Sequence, residues 1–149
     1  MNIFFLAEDP ERCAQFHSDR HIGSMCVDYS RILTSEDTKI EIVEWVRRST
    51  EHWRWTRELC YWLNMEYRWR FRRGDNPTAI RTLVLPEPTL PDGGFSVPRA
   101  IVPPRYQHSD AIVAYRRYYF ARKGRNATYT NRPVPFFMAG WLDENNIAA

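Results

Sequence analysis

At 149 residues, with 44% hydrophobic and 26% charged side chains, the chain suits one domain, long enough to bury about 68 to 70% of its unfolded surface without metal or disulfide support. No apolar run approaches the ~20 residues of a membrane span, and the short apolar lead at 3–7 lacks the basic start and length of a signal peptide, so a cytoplasmic protein is expected. Net charge is only +3, but it is segregated: residues 1–44 carry 4 basic and 9 acidic groups, 45–73 carry 8 and 3, and 108–132 carry 6 and 1.

In chain order, residues 1–7 read as an extended apolar lead. Glu8-Asp9-Pro10-Glu11 is a helix start, with Asp9 as N-cap, proline at the first helical position and acids near the positive end of the dipole. The spacing predicts a first helix from 10 to about 33. On it His17, His21, Ser24, Asp28 and Arg31 share one arc, with Cys13 and Arg20 at its edge. Gly23, in mid-helix, costs about 1 kcal/mol relative to alanine; close approach of a ligand or a neighbouring helix would account for it. A turn at 34–37 leads to 39–73, a long piece without proline or glycine that holds five of the six tryptophans.

Read as one helix, that piece has three faces. Ile42, Val46, Ser49, Trp53, Thr56, Cys60, Leu63 and Tyr67 fall on a core arc. Trp55, Trp62 and Trp69, spaced by seven, form a ridge expected to pack inside, with an exposed stacking platform as the alternative. Arg47, Arg54, Arg57, Arg68 and Arg72 gather with Tyr61 on the far side, either paired with Glu51, Glu58 and Glu66 or free for a polyanion. Arg73-Gly74 ends the helix, with glycine in the C-cap role. Residues 74–107 carry seven prolines and no helical period, a long ordered loop or a lid. Ser109-Asp110 can cap a third helix running to about Lys123, where Gly124 stops it, and 125–149 reads as an extended strap. Cys13, Cys26 and Cys60, an odd set without finger spacing, read as reduced core thiols. The fold class is therefore all-α: one compact domain over 1–149, about three main helices, a long Pro-rich ordered loop and an extended C-terminal strap.

Of 21 Lys plus Arg only Lys39 and Lys123 are lysine, leaving 19 arginines. Guanidinium suits bidentate phosphate contact and stacking on bases, and Tyr115-Arg116-Arg117-Tyr118-Tyr119-Phe120-Ala121-Arg122-Lys123 interleaves such cations with rings. Arg125 and Arg132 continue that charge, and Arg20 adds to it. Brought together, these segments would form a footprint for nucleic acid, or for anionic lipid or an acidic protein. His17 and His21 stand at a metal-compatible spacing, but further ligands of fitting type are missing, so no metal is expected. Two readings stay open for the pair: packed histidines, or catalytic and phosphate-contacting ones, with Asp28 orienting a ring or acting as general acid or base.

Several stretches together resemble a family of short phage-encoded proteins described as pyrimidine-dimer DNA glycosylase or endonuclease V-like. They are Met1-Asn2-Ile3-Phe4 leading to Glu8-Asp9-Pro10, Ala14-Gln15-Phe16-His17-Ser18-Asp19-Arg20-His21, Leu90-Pro91-Asp92-Gly93-Gly94, Ala114-Tyr115-Arg116-Arg117-Tyr118-Tyr119 and Arg132-Pro133. The resemblance implies a single all-α domain whose amino terminus lies near the long helices, arginines that hold DNA, and an extruded base or lesion. It also implies an α-amine that attacks the sugar C1′, helped by a carboxylate on the first long helix. The family's glutamate aligns near Ser24, and Asp28 lies one turn further on; Asn2 is large enough to leave Met1 in place. The expected function is a DNA-binding, base-processing enzyme, a DNA glycosylase with or without AP lyase activity, with His17, His21, Asp28 and Met1 at the reacting centre and no cofactor. The alternatives are a transferase that modifies a DNA base, or a non-catalytic protein that binds DNA or inhibits a host protein. Duplex DNA is the expected partner, no membrane is, and the oligomeric state is left open.

Overall fold

Residues 1–124 and 126–139 of the computed structural model are described below, and their regular structure is entirely helical. The elements are α1 (Pro10–Phe16), α2 (Asp19–Thr34), α3 (Glu41–Arg47), α4 (Thr50–Phe71), α5 (Pro77–Leu83), a 3-10 turn (Pro104–Tyr106), α6 (Ala111–Lys123) and α7 (Phe136–Ala139). The all-α class stands. Helix α4 is the centre of the bundle, in contact with α1, α2, α3 and α5. Its arc faces inward as the periodicity requires: Trp53, Thr56, Cys60 and Leu63 are buried, as are Ile42 and Val46 on α3 and Ser49 between the two helices.

Two long helices foreseen in the sequence are each broken. The first breaks at His17 and Ser18, both extended. There the Ser18 N–H donates to Tyr119 Oη at 2.8 Å and the Asp19 N–H to the Thr128 carbonyl at 2.9 Å. These distant groups take backbone donors that the i to i−4 ladder would otherwise satisfy. The second breaks at Ser49, whose extended backbone and side chain cap α4 through the Glu51 N–H at 3.2 Å, while its hydroxyl reaches Gly94 O at 2.6 Å. Helix α4 ends on Arg72, which adopts the left-handed conformation at φ 51, so the C-cap role falls to an arginine instead of Gly74. Such a conformation costs a non-glycine residue on the order of 1 kcal/mol.

The Pro-rich segment is ordered, but it contains a helix that its composition concealed. Asn76 caps α5 by accepting the Thr78 N–H at 3.0 Å, with Pro77 at the first position. Further along, the Thr50 N–H donates to Pro91 O at 2.9 Å, Trp45 Nε1 to Ser96 O at 3.0 Å, and the Ser96 N–H to His52 Nε2 at 3.2 Å. These bonds strap the segment to α3 and α4. Leu83, Leu85, Ile101 and Val102 are partly buried, whereas Val84 is 77% exposed. Helix α6 begins where the sequence places it, with Asp110 accepting from Ile112 and Val113. The expected strap contains the short α7; its residues 125 and 140–149 lie outside the described ones.

The amino-terminal lead runs through the core, with Ile3, Phe5 and Leu6 fully buried. Its backbone is fixed from three sides: the Phe4 N–H donates to Tyr29 Oη at 3.2 Å, Trp55 Nε1 donates to Glu8 O at 2.8 Å, and Arg116 Nε donates to Leu6 O at 2.8 Å. A buried ionic hub joins the ends. The fully buried Arg70 donates to Glu66 at 3.0 Å, Asp19 at 3.1 Å, and the carbonyls of His17 at 2.8 Å and Gln15 at 2.9 Å. Arg132 grips the same Glu66 at 2.7 Å, and Thr130 donates to Asp19. Cys13, Cys26 and Cys60 are free and buried; burial pushes the Cys13 thiol up to about 12, and it donates to Phe4 O at 3.2 Å. No helix among the described residues is long and apolar enough to cross a membrane.

Candidate active-site pocket

Between the amino-terminal lead, α2 and α6 lies a cavity of about 300 Å³ lined by Met1, Asn2, Phe4, His21, Met25, Asp28, Tyr118, Arg122 and Lys123. Three of the four foreseen reacting residues, Met1, His21 and Asp28, thus share one concavity with two cations. The lead reaches it because Asn2 is pinned, Nδ2 donating to Ile101 O at 2.8 Å while Oδ1 accepts from Tyr115 Oη at 3.3 Å. Phe4 then lies flat on the His21 ring, centroids 5.3 Å apart and planes 10° apart, with Tyr118 at 6.5 Å. One wall is therefore aromatic, and Arg122 lies over the Tyr118 ring at 5.9 Å.

His21 is held by Tyr119, whose Oη is 2.8 Å from Nδ1 and accepts the Ser18 N–H at 2.8 Å. Burial, followed by the nearby Lys123 and Arg20, lowers the pKa of His21 to about 4, so the ring is neutral near pH 7. Tyr119 has one proton and two acceptors, His21 Nδ1 at 2.8 Å and Ser18 Oγ at 3.2 Å. Assigned to the nearer one, it leaves the imidazole proton on Nε2, a nitrogen with no protein partner among the described residues. The ring then offers an N–H donor to the cavity. Among the described residues Asp28 meets only Arg31, at 3.9 Å and largely in solvent, so its carboxylate stays available.

A second recess of about 110 Å³ adjoins the first through Arg122 and Lys123, and adds Ser18, Arg20, Asn126 and Thr128. Arg20, Arg122 and Lys123 therefore form a cationic cluster beside the cavity. The other foreseen contacts do not converge on it. Arg54 and Arg57 pair with Glu87 at 2.8 and 3.8 Å. Arg68 meets Asp75 at 3.6 Å, and with Arg72, Trp69 and Asn131 it borders a separate cavity of about 330 Å³. Arg116 is occupied by Leu6 O and lies over the Phe16, Phe136 and Phe137 rings. Arg117 donates to Gln107 O at 3.3 Å, and Arg132 is bound to Glu66. Arg47 is partly buried on α3, and Arg125 lies outside the described residues.

His17 differs most from its expected place. The helix break turns its ring into the core, where Nδ1 donates to Cys13 O at 2.7 Å and Nε2 accepts from Tyr29 Oη at 2.8 Å. Burial lowers its pKa to about 3, and it does not border the cavity. With both nitrogens engaged, His17 holds α1 to α2 and stands apart from the cavity. Among the described residues no three His, Cys, Asp or Glu side chains gather as a metal site. Gly23 faces Tyr67 of α4, 3.8 Å from where a Cβ would stand, so a helix and not a ligand is its neighbour. Phe4, Asn2 and Tyr119 shape the site without having been singled out for it; Tyr118 and Tyr119 stood in the interleaved stretch, but which ring would face the cavity depended on a contact with a segment more than a hundred residues away. Compared with protein-family models, with curated proteins and with solved structures, the chain matches none.

Proposed function

We propose that this protein binds DNA and excises a pyrimidine from a nucleotide extruded into the Met1–His21–Asp28 cavity. The observation that carries the reading is the convergence of a free carboxylate, a neutral imidazole with an open nitrogen, an aromatic wall and two cations on one cavity. Its volume of about 300 Å³ stands at the lower end of small-ligand sites, a size for one nucleoside and not for a stacked pair. Extrusion is required because atoms at the glycosidic bond are hidden in the stack. The flipped base lies against Phe4 and Tyr118, and its flanking phosphate reaches Arg20, Arg122 and Lys123 in the adjoining recess.

Excision follows from these positions. Asp28 takes a proton from a water molecule as its oxygen bonds to C1′; the electrons of the glycosidic C–N bond leave with the base. The His21 Nε2–H donates to a pyrimidine carbonyl, where negative charge develops. The proton on Asp28 passes to the departing base, so water is divided between sugar and base. General acid and base groups contribute about 10² to 10⁴-fold. Asp28→Asn is therefore expected to lower base release from DNA carrying modified pyrimidines at least about 100-fold while affinity is retained, and His21→Gln to lower it less. Mass spectrometry of the products decides: release unchanged in Asp28→Asn, or an altered base still attached to its sugar, overturns excision by this pocket. Borohydride trapping with the 149-residue chain separates hydrolysis from attack by an amine, since only the latter leaves protein joined to DNA.

A further inference from the structure

The cavity at the end of α4 takes no part in that chemistry, yet its composition is specific. Trp69 is 58% exposed, and it stands between Arg68 and Arg72 at the mouth of about 330 Å³ of open space. A lone exposed aromatic residue is ordinary, but this one is fixed. Its Nε1 donates to Asn131 O at 3.2 Å, and Arg132 lies over the ring at 5.6 Å from its centroid. An indole held in one orientation, with free area, loses little side-chain entropy when a flat ring is laid on it.

The recesses are also connected. Arg122 and Lys123 belong both to the Asp28 cavity and to the Arg20 recess. Thr128 of that recess is three residues from Asn131 of the Trp69 cavity, a span of at most about 10 Å. Beyond Trp69 the neighbouring cavity acquires Glu11, whose charge disfavours phosphate and ends the run; Glu66 there is already held by Arg70 and Arg132. Cations thus stand at both ends of the path from Asp28 to Trp69, Asp19 between them is neutralised by Arg70 and bonded to Thr128 and Thr130, and Glu11 closes the far end.

We infer that this path is a single-stranded DNA track, on which a base near the extruded nucleotide stacks on Trp69 while Arg72 meets its phosphate. The inference rests on reading the Asp28 cavity as a nucleotide site. Duplex DNA fits it poorly because a paired, stacked base has no free face to place on the indole, whereas a single strand exposes one at each step. The track favours a substrate that is already unpaired.

Fluorescence anisotropy with a labelled oligothymidylate, and with its duplex with oligoadenylate, tests this. Wild-type protein is expected to hold the single strand more tightly. Stacking on one aromatic residue corresponds to a loss of about 5- to 150-fold on removal, so Trp69→Ala should weaken the single strand by that factor and the duplex little. Trp69→Phe, which keeps a ring and lacks the N–H bonded to Asn131, should restore most of the affinity. Failure of wild-type protein to bind oligothymidylate, or Trp69→Ala binding it as wild type, overturns the track. So does an equal loss for Trp69→Ala and Trp69→Phe, which would mark the bond to Asn131 as structural. Base release is scored separately in wild-type protein and in Asp28→Asn: release that Asp28→Asn abolishes, beside Trp69-independent affinity, fails the track alone, and Trp69-dependent affinity without any release by wild-type protein fails the chemistry alone.

Discussion

Acidification from about pH 7 to about pH 5 should cost this protein about 4 kcal/mol of folding stability, a large part of the ~5 to 15 kcal/mol typical of a domain. The origin is two neutral imidazoles. Burial holds His17 at about 3, and burial with Lys123 and Arg20 holds His21 at about 4, whereas both titrate near 6.5 in an unfolded chain. Between those values the unfolded chain binds the proton and the folded one does not, so stability is complete above about 6.5 and drains as pH falls toward the folded values. Each group contributes about 1.4 kcal/mol per unit of pH. At about pH 5, roughly one and a half units below the unfolded value, that is about 2 kcal/mol for each. Neither folded value has then been reached, so the figure does not depend on how far down they lie. His52, also lowered by burial while its Nδ1 donates to Trp45 O at 2.7 Å, acts in the same direction. Urea titrations at matched ionic strength measure the difference, and His21→Gln should reduce it by about 2 kcal/mol. A stability equal within about 1 kcal/mol at the two pH values, or an NMR titration of His17 near 6.5, would refute the reasoning.

The Arg70 hub makes a second test. Arg70→Ala leaves Glu66, Asp19 and two carbonyls without their shared donor, and should cost about 3 to 5 kcal/mol in the same titrations. Arg132→Ala, which leaves Glu66 its bond to Arg70, should cost clearly less; equal losses would contradict the assignment of Arg70 as the hub. The salt dependence of DNA binding gives a third. Arg122→Ala should reduce the slope of log affinity against log salt by about 0.7 to 0.9, as loss of one phosphate contact requires, whereas Arg54→Ala, already neutralised by Glu87 at 2.8 Å, should leave it unchanged. The reverse order would move the DNA from the Asp28 cavity to the Arg54 face of α4.

What the sequence made legible was what local periodicity controls. The buried arc from Ile42 to Leu63 survived a break at Ser49 because one displaced turn leaves both halves facing the same core. The Asp110 cap and the end of α6 were readable because both signals lie within a few residues of the helix they bound. Met1, His21 and Asp28 were also read as partners and do share a cavity. His17 was not separable from His21 by the same rule, since an interval of four residues puts two rings on one face only while the helix is continuous. Here it is interrupted by Tyr119 and Thr128, more than a hundred residues away, which no local pattern encodes. The arginines show the same limit. Arg68, Arg70 and Arg72 are near neighbours in sequence and identical in chemistry, yet the first is half in solvent, the second fully buried and the third caps the helix at φ 51. Which of them can meet a phosphate is decided by Asp19, Glu66 and Asp75, carboxylates whose distances to these guanidinium groups exist only in the folded chain. A count of basic residues therefore overstates a nucleic-acid surface in a bundle whose own acids compete for it, and the cations without an ion pair among the described residues beside the Asp28 cavity, Arg20, Arg122 and Lys123, are the ones on which the excision reading depends.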